Sequence, residues 1–351
     1  MRAEEIDAIA EALGRPVAEV RPLAGGFSHE TCLLILKSGE RVVVRLGGPD
    51  PGIEAAVMAR GRAHVPVPPV LCVVAAANGE TRPVMVLEYV TGTPLSDVLA
   101  AAGDDENSLS ALGAEVGRVI AGIGAVTFGR PGFFTGRDLA VGEMPPWSEQ
   151  LPAMAANRMD ATPAERLDTA TRQAWSALCA AHAPALAAID AQARLVHADA
   201  NPKNILVTRA GSGWRVNAVL DWEFSFSGSP YADAANMTRF SGDYPRRFTD
   251  GFRDGFAGHP PAGLPRTADW AYLGRVLDMF ALSDLVTRPL GHPVADQAAG
   301  QIRHWLAHGV PSRLFAGGSP ARGAISRLDP QSRPPAHWLA SLPTALAGMA
   351  G

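Results

Sequence analysis

The apolar positions in the first part of the chain change from helical spacing to short runs rich in β-branched residues. Ile6, Ile9 and Leu13 recur at helical spacing, which predicts an amphipathic helix at the start. The runs that follow are separated by turn signals such as Ser38-Gly39, which is typical of hairpins. The pattern predicts a small antiparallel sheet with strands at 32–36, 42–46, 70–75 and 84–90. One helix, at 53–62, is inserted between the second and third of these strands.

Beyond residue 90 the pattern becomes mainly helical. Thr93 followed by Pro94 is a favourable helix start, an N-cap with proline in the first turn. Segment 194–222 is the exception, because it contains three short strand-like runs. This order of elements predicts an α+β architecture with a small β-rich lobe and a larger helical lobe. Helices are predicted at about 95–102, 109–126, 164–190, 231–240, 246–257, 268–288 and 294–308.

The same pattern divides the chain into three parts. Residues 1–90 are predicted to form the N-lobe, and residues 91–315 the helical C-lobe with the catalytic and metal loops. Residues 316–351 are predicted to form a C-terminal tail that is either flexible or docked on the body. Within the C-lobe, segment 127–162 is rich in Gly, Pro and Met, which indicates an insertion at the edge of the site.

Composition narrows the class of protein. The chain has 351 residues, of which 47% are apolar and 19% charged, and a net charge of −4 without a basic stripe, so nucleic acid is not an expected partner. Its three cysteines have neither the spacing of a zinc site nor that of a disulfide framework. The N-terminus carries acids where a signal peptide needs basic residues, and no apolar stretch approaches the roughly 18 residues of a membrane span. We therefore expect a soluble cytoplasmic protein.

The strongest chemical signal is the sequence LVHADANPKNILV at 195–207. His197, Asp199 and Asn204 fall in a loop between two apolar strands, and Asp221 ends a later strand, NAVLDWE. Loops at strand ends hold catalytic groups on a rigid scaffold while leaving them open to a ligand. The sequence therefore predicts that two carboxylates and an amide meet at one point.

Phosphoryl transfer requires a set of this kind. A carboxylate accepts the hydroxyl proton, and hard oxygen ligands hold Mg²⁺ on the phosphates. Asp199 fits the base, and Asn204 and Asp221 fit the metal ligands. We expect His197 to brace the loop through hydrogen bonds rather than to titrate in the reaction. Turn and capping roles are the alternative for each of these residues taken singly.

The pattern H-x-D-x-x-x-x-N, followed by an apolar strand and D-W-E, resembles the aminoglycoside phosphotransferase and choline kinase family. The resemblance covers roughly residues 15–310 and implies a protein-kinase-like bilobal fold. Family members more often have HGD where this chain has Ala198, although some antibiotic kinases also have alanine there. Glu223 completes the D-W-E motif as a supporting residue, and Asp233 resembles the structural aspartate that anchors the helix after the metal strand.

The resemblance also implies a nucleotide-binding loop in the N-lobe. Gly25, Gly26 and Ser28 precede a strand, where family members have a loop over the ATP phosphates. Arg45 occupies the place of the kinase strand-three lysine, and Glu54 matches the acidic partner that would orient it. A plain turn and an unrelated ion pair are the alternatives for these two features.

The strand that would join the two lobes, the hinge strand, is implied only by its position in the chain between them. Glu88, Tyr89 and Val90 correspond to the segment whose main-chain groups would bind adenine. ATP, or GTP in its place, and Mg²⁺ are the implied cofactors. The implied partner is a small-molecule hydroxyl acceptor, with no membrane partner, and the protein is expected to be a monomer or a homodimer.

These expectations combine into a kinase of the small-molecule antibiotic branch. A cationic antibiotic would be attracted by carboxylates. Four alternatives stay open: a metabolite kinase for choline, a sugar or an amino alcohol, a nucleotide-binding regulator without turnover, a hydrolase metal site, and a protein kinase. The candidate carboxylates form two clusters in sequence, Asp138, Glu143 and Glu149, and Asp243, Asp250 and Asp254.

Overall fold

The computed structural model describes residues 1–23, 29–48, 50–76, 82–101, 106–211, 213–264 and 267–311. Within these ranges the chain forms two compact units, one of residues 1–59 and 68–89 and the other of residues 60–67 and 90–311. The first unit contains α1 (Ala3–Leu13), β1 (Val17–Pro22), β2 (Glu30–Leu36), β3 (Arg41–Leu46), most of α2 (Pro51–Gly61), β4 (Val70–Val74) and β5 (Val84–Glu88).

The second unit is mainly helical. It holds a three-stranded sheet, in the order β6 (Thr93–Pro94), β8 (Ile205–Ala210) and β9 (Gly213–Val219), and a separate antiparallel pair of β7 (Arg194–Val196) and β10 (Phe226–Gly228). Its α-helices are α3 (Leu95–Ala100), α4 (Glu106–Ile123), α5 (Trp147–Ala161), α6 (Thr169–His182), α7 (Tyr231–Thr238), α8 (Arg246–Gly258), α9 (Trp270–Leu285) and α10 (Pro293–His308).

The sheet of the first unit is antiparallel throughout, in the order β1-β2-β3-β5-β4. One face is apolar because alternate side chains of neighbouring strands point the same way. Alternate residues of β2 and β3 share this buried face, and α1 covers it through the fully buried Ile9. The strand residues are Cys32, Leu34, Leu36, Val42, Val44 and Leu46. The predicted hairpin is therefore the centre of the sheet.

A pair of helices in the second unit approaches at backbone contact. Gly113 and Gly117 of α4 face α8, and Gly251 and Gly255 of α8 face α4, each pair one helical turn apart. A methyl group added at any of the four would lie 2.1–2.2 Å from a main-chain oxygen of the opposite helix. Only glycine permits so close a contact, because it has no Cβ.

The structure corrects several element boundaries. Segment 127–162, predicted as an insertion, contains the 15-residue helix α5, with Pro152 inside it. Its buried residues Trp147, Leu151, Ala155 and Met159 recur every four positions, so the helix was present in the apolar pattern. The predicted helix at 164–190 begins only at Thr169, and a 3₁₀ segment follows it at 183–188. Strands β1, β6 and β10 are additional, and because β6 takes up Thr93–Pro94, the predicted helix begins only at Leu95, with Pro94 rather than Thr93 as its N-cap.

No helix in the described part of the chain is long and apolar enough to cross a membrane. The α+β class, with a small antiparallel sheet in the N-lobe and a helical C-lobe, agrees with the sequence prediction.

Candidate active site

The loop after β7 carries most of the predicted chemistry. β7 ends at Val196, the loop runs through His197 and Asp199, and a single 3₁₀ turn at Pro202–Asn204 leads into β8. Asn201 caps that turn, because its side chain accepts from the Lys203 N–H at 2.9 Å. The proline sets the backbone of the turn, so Asn204 reaches a defined position.

Both carboxylate oxygens of Asp199 are held by side-chain amides. Asn201 Nδ2 donates to Oδ1 at 2.9 Å, and Asn204 Nδ2 donates to Oδ2 at 2.8 Å. Both amides also donate to the Asp199 carbonyl oxygen, at 3.1 and 2.9 Å. The carboxylate of the predicted base is thus fixed in one orientation without a cationic hydrogen-bond donor.

Asp221 lies beside this loop, just after β9. The Leu220 N–H donates to the Asn204 carbonyl oxygen at 2.8 Å, which joins the two loops directly. The charge of Asp221 also acts on Asp199, since it helps to raise the pKa of that carboxyl. The structure therefore places Asn204 in direct contact with Asp199, and Asp221 directly after the residue that binds Asn204.

Burial is the main reason that the pKa of Asp199 rises to about 6, and the negative charge of Asp221 adds to the rise. The hydrogen bonds from Asn201 and Asn204 and the positive charge of Arg239 act in the opposite direction.

The donor set fits a hard divalent cation. Asn204 turns its Nδ2 toward Asp199, which leaves Oδ1 as the acceptor atom of the side chain. Together with the Asp221 carboxylate it offers the sparse oxygen set that Mg²⁺ takes when phosphate oxygens and waters supply the rest. Asn204 and Asp221 are the residues that would hold such an ion.

His197 is completely buried under the loop. The Asp199 N–H donates to its Nδ1 at 3.2 Å, so Nδ1 carries no proton and Nε2–H donates to the Leu220 carbonyl oxygen at 2.9 Å. Its ring also packs on Trp222, with centroids 4.6 Å apart. A neutral imidazole with both nitrogens occupied ties the two loops together, which fits the expected bracing role.

Helix α7 clamps the backbone of the loop. Asp233, which is fully buried, accepts from the main-chain N–H groups of His197 and Ala198, both at 2.9 Å. Asn236 donates from Nδ2 to the Ala198 carbonyl oxygen at 2.7 Å. Burial raises the pKa of Asp233 to about 7 against the effect of the two N–H donors. These hydrogen bonds hold both the N–H and the carbonyl group of Ala198.

Two site residues have left-handed backbone conformations although neither is glycine. Ala198 has φ of +66° and Asp221 has φ of +64°. Such conformations cost free energy for residues with a Cβ, and they persist where surrounding contacts over-determine them. The hydrogen bonds of Asp233 and Asn236 to Ala198 are contacts of this kind, and they hold an alanine in a conformation that glycine adopts more readily.

Sequence reasoning missed three polar residues that shape the site. Asn201 was visible as an N-cap signal before Pro202. Asn236 follows Asp233 by three positions, so both lie on one face of α7. Arg239, which binds the Asp278 carboxylate at 2.7 and 2.9 Å, gave no local signal of its own.

In the first unit, Arg45 and Glu54 form the predicted ion pair between β3 and α2. Both side chains are almost fully buried, with 8% and 6% of their surface exposed. The second terminal nitrogen of Arg45, Nη2, lies 2.9 Å from Nδ1 of His29. Gly25, Gly26 and Ser28 of the predicted phosphate loop lie outside the described residues.

The predicted hinge residues follow the end of β5. The Glu88 N–H donates to the Pro69 carbonyl oxygen at 2.9 Å, so that N–H is already bonded within the sheet. The ring of Tyr89 lies under the Arg41 guanidinium, 4.2 Å from its carbon, and both residues border a pocket of about 310 Å³. Val90 is the first residue of the second unit in this segment, and Glu223 is partly buried two positions after Asp221.

Three of the six candidate carboxylates in the two sequence clusters pair with arginines. Most of their members have local partners within the described part of the chain. Glu143 pairs with Arg130 at 2.7 Å, and Asp254 pairs with the adjacent Arg253. Asp138 accepts from the Ala140 N–H, Asp243 from Gln297, and Asp250 pairs with Arg246 across one helical turn.

The fold and the two loops together define a kinase-type phosphotransferase with a protein-kinase-like fold. A family model described as "Phosphotransferase enzyme family" matches residues 19–270. The chain belongs to this phosphotransferase family, and the family predicted from the H-x-D-x-x-x-x-N motif is confirmed.

Solved structures share the fold at low sequence identity. A thermostable mutant of aminoglycoside phosphotransferase APH(4)-Ia, in ternary complex with ADP and hygromycin B, is 20% identical with a TM-score of 0.65 over 87% of this chain and 99% of that chain. Macrolide 2′-phosphotransferase MphH from Brachybacterium faecium is 19% identical with a TM-score of 0.50 over 88% and 98%. The GDP complex of aminoglycoside 2′-phosphotransferase-IIIa is 14% identical with a TM-score of 0.61 over 88% and 98%. The chain has no significant sequence match among curated proteins.

Proposed function

We propose that the protein transfers the γ-phosphoryl group of ATP to a hydroxyl of a small molecule, an antibiotic such as an aminoglycoside or a related natural product. GTP is the alternative donor. The proposal is carried by two hydrogen bonds of Asn204. Its side-chain amide donates to the Asp199 carboxylate, and its carbonyl oxygen accepts from the N–H of Leu220, the residue before Asp221. Solved structures of similar fold contain ADP, AMP-PNP or GDP, which supports a nucleotide donor.

Asp199 is the proposed base. Its carboxylate is held by Asn201 and Asn204 and would accept the proton of the acceptor hydroxyl as that oxygen bonds to the γ-phosphorus. The bond between this phosphorus and the β–γ bridging oxygen breaks in the same step, and the nucleoside diphosphate leaves. Asn204 and Asp221 would hold Mg²⁺, which supplies charge neutralisation on the phosphates when bound.

Arg45 is the proposed phosphate-binding cation. Its guanidinium keeps its charge at any working pH and presents a planar fork that matches phosphate oxygens. Glu54 holds one end of that fork by a buried ion pair. Catalysis would come mainly from alignment and charge stabilisation, since phosphoryl transfer requires little covalent help.

A second candidate acceptor class is favoured by the charges around Asp199. The positive charge of Arg239 acts on Asp199, and the charge of Asp199 acts on Arg288. Asp278 pairs with Arg239 and the charge of Asp284 acts on Arg288, so these arginines lower the attraction for a polycation only modestly, relative to a neutral or anionic hydroxyl compound such as a sugar or a sugar acid. A metabolite kinase for such an acceptor is therefore the alternative function.

Substitution of Asp199 tests the proposal. Asp199→Ala is expected to keep nucleotide binding and to lose phosphoryl transfer by about a thousandfold, since general bases contribute factors of this size. Release of ADP is measured with ATP, Mg²⁺ and a panel of cationic, neutral and anionic hydroxyl compounds. Asp254→Asn, at an exposed residue paired with its neighbour Arg253, is the matched control. Turnover that survives in Asp199→Ala with every acceptor would contradict the base assignment.

A further inference from the structure

The Arg45 guanidinium is held by a second residue besides Glu54. Glu54 binds Nη1, and the Nδ1 atom of His29 lies 2.9 Å from Nη2. The strand pairing explains the contact, because Glu30 of β2 lies opposite Leu46 of β3 and Thr31 lies opposite Arg45. His29 therefore lies immediately before the first residue of β2, beside the strand that carries Arg45.

The chemistry of the pair fixes the state of the imidazole. A guanidinium has five N–H donors and no acceptor, so it can only donate in this contact. Nδ1 of His29 must then be the acceptor, and the ring proton must be on Nε2. His29 acts toward Arg45 as a neutral acceptor, in the way that Glu54 acts as an anionic one.

The chain provides space for this ring at Gly48. A Cβ at Gly48 would lie 2.1 Å from His29 Nε2 and within 2.9 Å of two ring carbons. Gly48 also has φ of +81°, a conformation that other residues rarely adopt. The adjacent Gly47 has φ of +88° but would bring its Cβ within 4 Å of no described atom. Gly48 alone of the two is required by the position of His29.

We infer that His29 is a positioning residue for Arg45 in nucleotide binding. Arginine has high rotamer entropy, and a guanidinium held at both terminal nitrogens is ordered before the nucleotide arrives. The inference rests on the proposed function, in which Arg45 contacts the phosphates. Glu54 compensates the charge of Arg45, and His29 sets the rotation of its fork.

Nucleotide kinetics test this role. His29→Ala is expected to raise KM for ATP by about tenfold or more with little change in kcat, since a hydrogen bond to a charged group is lost. His29→Asn keeps an acceptor near the position of Nδ1 and is expected to restore most of the affinity. A His29→Ala variant with normal KM, or an asparagine variant as impaired as the alanine variant, would overturn the inference.

The glycine pair gives a matched control that leaves His29 itself in place. Gly48→Ala is expected to displace the ring and to raise KM for ATP as His29→Ala does. Gly47→Ala introduces the same backbone strain without the ring contact and is expected to leave KM near the wild-type value. Equal KM values in the two alanine variants would contradict the proposed contact.

A readout without turnover separates this inference from the proposed function. The ¹⁵N chemical shifts of His29 in the nucleotide-free protein are expected to show an unprotonated Nδ1 and a protonated Nε2. A protonated Nδ1 would overturn the inference even in an active enzyme. Absence of ATP turnover with every acceptor would count against the proposed function, while the expected shifts would still support the contact between His29 and Arg45.

Discussion

Two buried carboxylates, Glu5 in the first unit and Asp233 in the second, are stabilised by opposite means. In the first unit Glu5, which is 1% exposed, accepts from the guanidinium of Arg82 at 3.0 Å on each oxygen and from the main chain of Arg2. The Arg82 hydrogen bonds are the main reason that its pKa falls to about 2. In the second unit Asp233 accepts from the main-chain N–H groups of His197 and Ala198, and burial raises its pKa to about 7.

The difference separates a structural pair from a functional loop. Glu5 is neutralised inside the protein by a cation, so its charge is fixed and serves only to hold α1 to the sheet. Asp199 and Asp233 are bound by neutral amides, which orient the carboxylates without cancelling their charge. A carboxylate such as Asp199, which is oriented without a bound cation and has its pKa raised toward neutrality, is suited to take up the proton in phosphoryl transfer.

The clamp on the catalytic loop should give the largest effect when it is removed. Asp233→Ala leaves two buried N–H groups without acceptors, and we expect a loss of about 3 kcal/mol in the free energy of unfolding. Displacement of the loop should also lower phosphoryl transfer by about a hundredfold. Urea unfolding and ADP release measure the two effects.

Asp250→Asn is a suitable control for this clamp. Asp250 lies on α8 and makes only a long contact of 3.6 Å with Arg246, which is largely exposed. We expect changes within about 0.5 kcal/mol for this variant. An Asp233→Ala protein with full activity would show that the amide-bound carboxylate does not set the position of the loop.

The glycine contact between α4 and α8 tests how tightly the second unit is packed. Gly255→Ala places a Cβ 2.1 Å from the Ala114 carbonyl oxygen, so the helices must separate. We expect destabilisation by about 3 kcal/mol, measured by urea unfolding. Gly300→Ala in α10 meets no described atom within 4 Å and should stabilise the protein by about 0.5 kcal/mol. Equal effects of the two variants would contradict close packing.

Strong acid should remove the stability that the Glu5–Arg82 pair of the first unit contributes. The pKa of Glu5 is lowered from 4.5 to about 2 by Arg82, so its contribution to stability is present above pH 4.5 and is lost as the pH falls toward 2. Glu5→Gln removes this titration. We expect the variant to be less stable than wild type at pH 6 and to lose less stability between pH 4.5 and 2, as measured by urea unfolding at each pH. Parallel curves for the two proteins would contradict the pairing.

Local patterns predicted the features whose cause is local. The alternation in β2 and β3 gave the centre of the sheet, and the spacing from His197 to Asp221 predicted the loops that carry the site. The helix at Trp147–Ala161 was missed because Pro152 and a high glycine and proline content outweighed a clear four-residue apolar period.

Other features depend on contacts that no local pattern contains. The glycine pair of α4 and the glycine pair of α8 are separated by more than a hundred positions in sequence, and a single helix shows only that the members of its own pair are one turn apart. The contact of Asn236 with Ala198 spans 38 positions. Its role depends on how α7 packs under the loop, which is a property of the tertiary structure.

Substitution at Ala198 should change the free energy of unfolding least among these variants. It measures the backbone strain that the hydrogen bonds from α7 hold in place. The Ala198 φ of +66° is costly for alanine but not for glycine, while glycine adds entropy to the unfolded chain. We expect Ala198→Gly to stabilise the protein by about 0.5 kcal/mol, because the strain slightly exceeds the entropy term. Ala200→Gly, at a fully buried alanine without positive φ, should instead destabilise it by about 1 kcal/mol. Urea unfolding distinguishes the two signs, and destabilisation by both substitutions would mean that Asp233 and Asn236 hold the loop without opposing any strain.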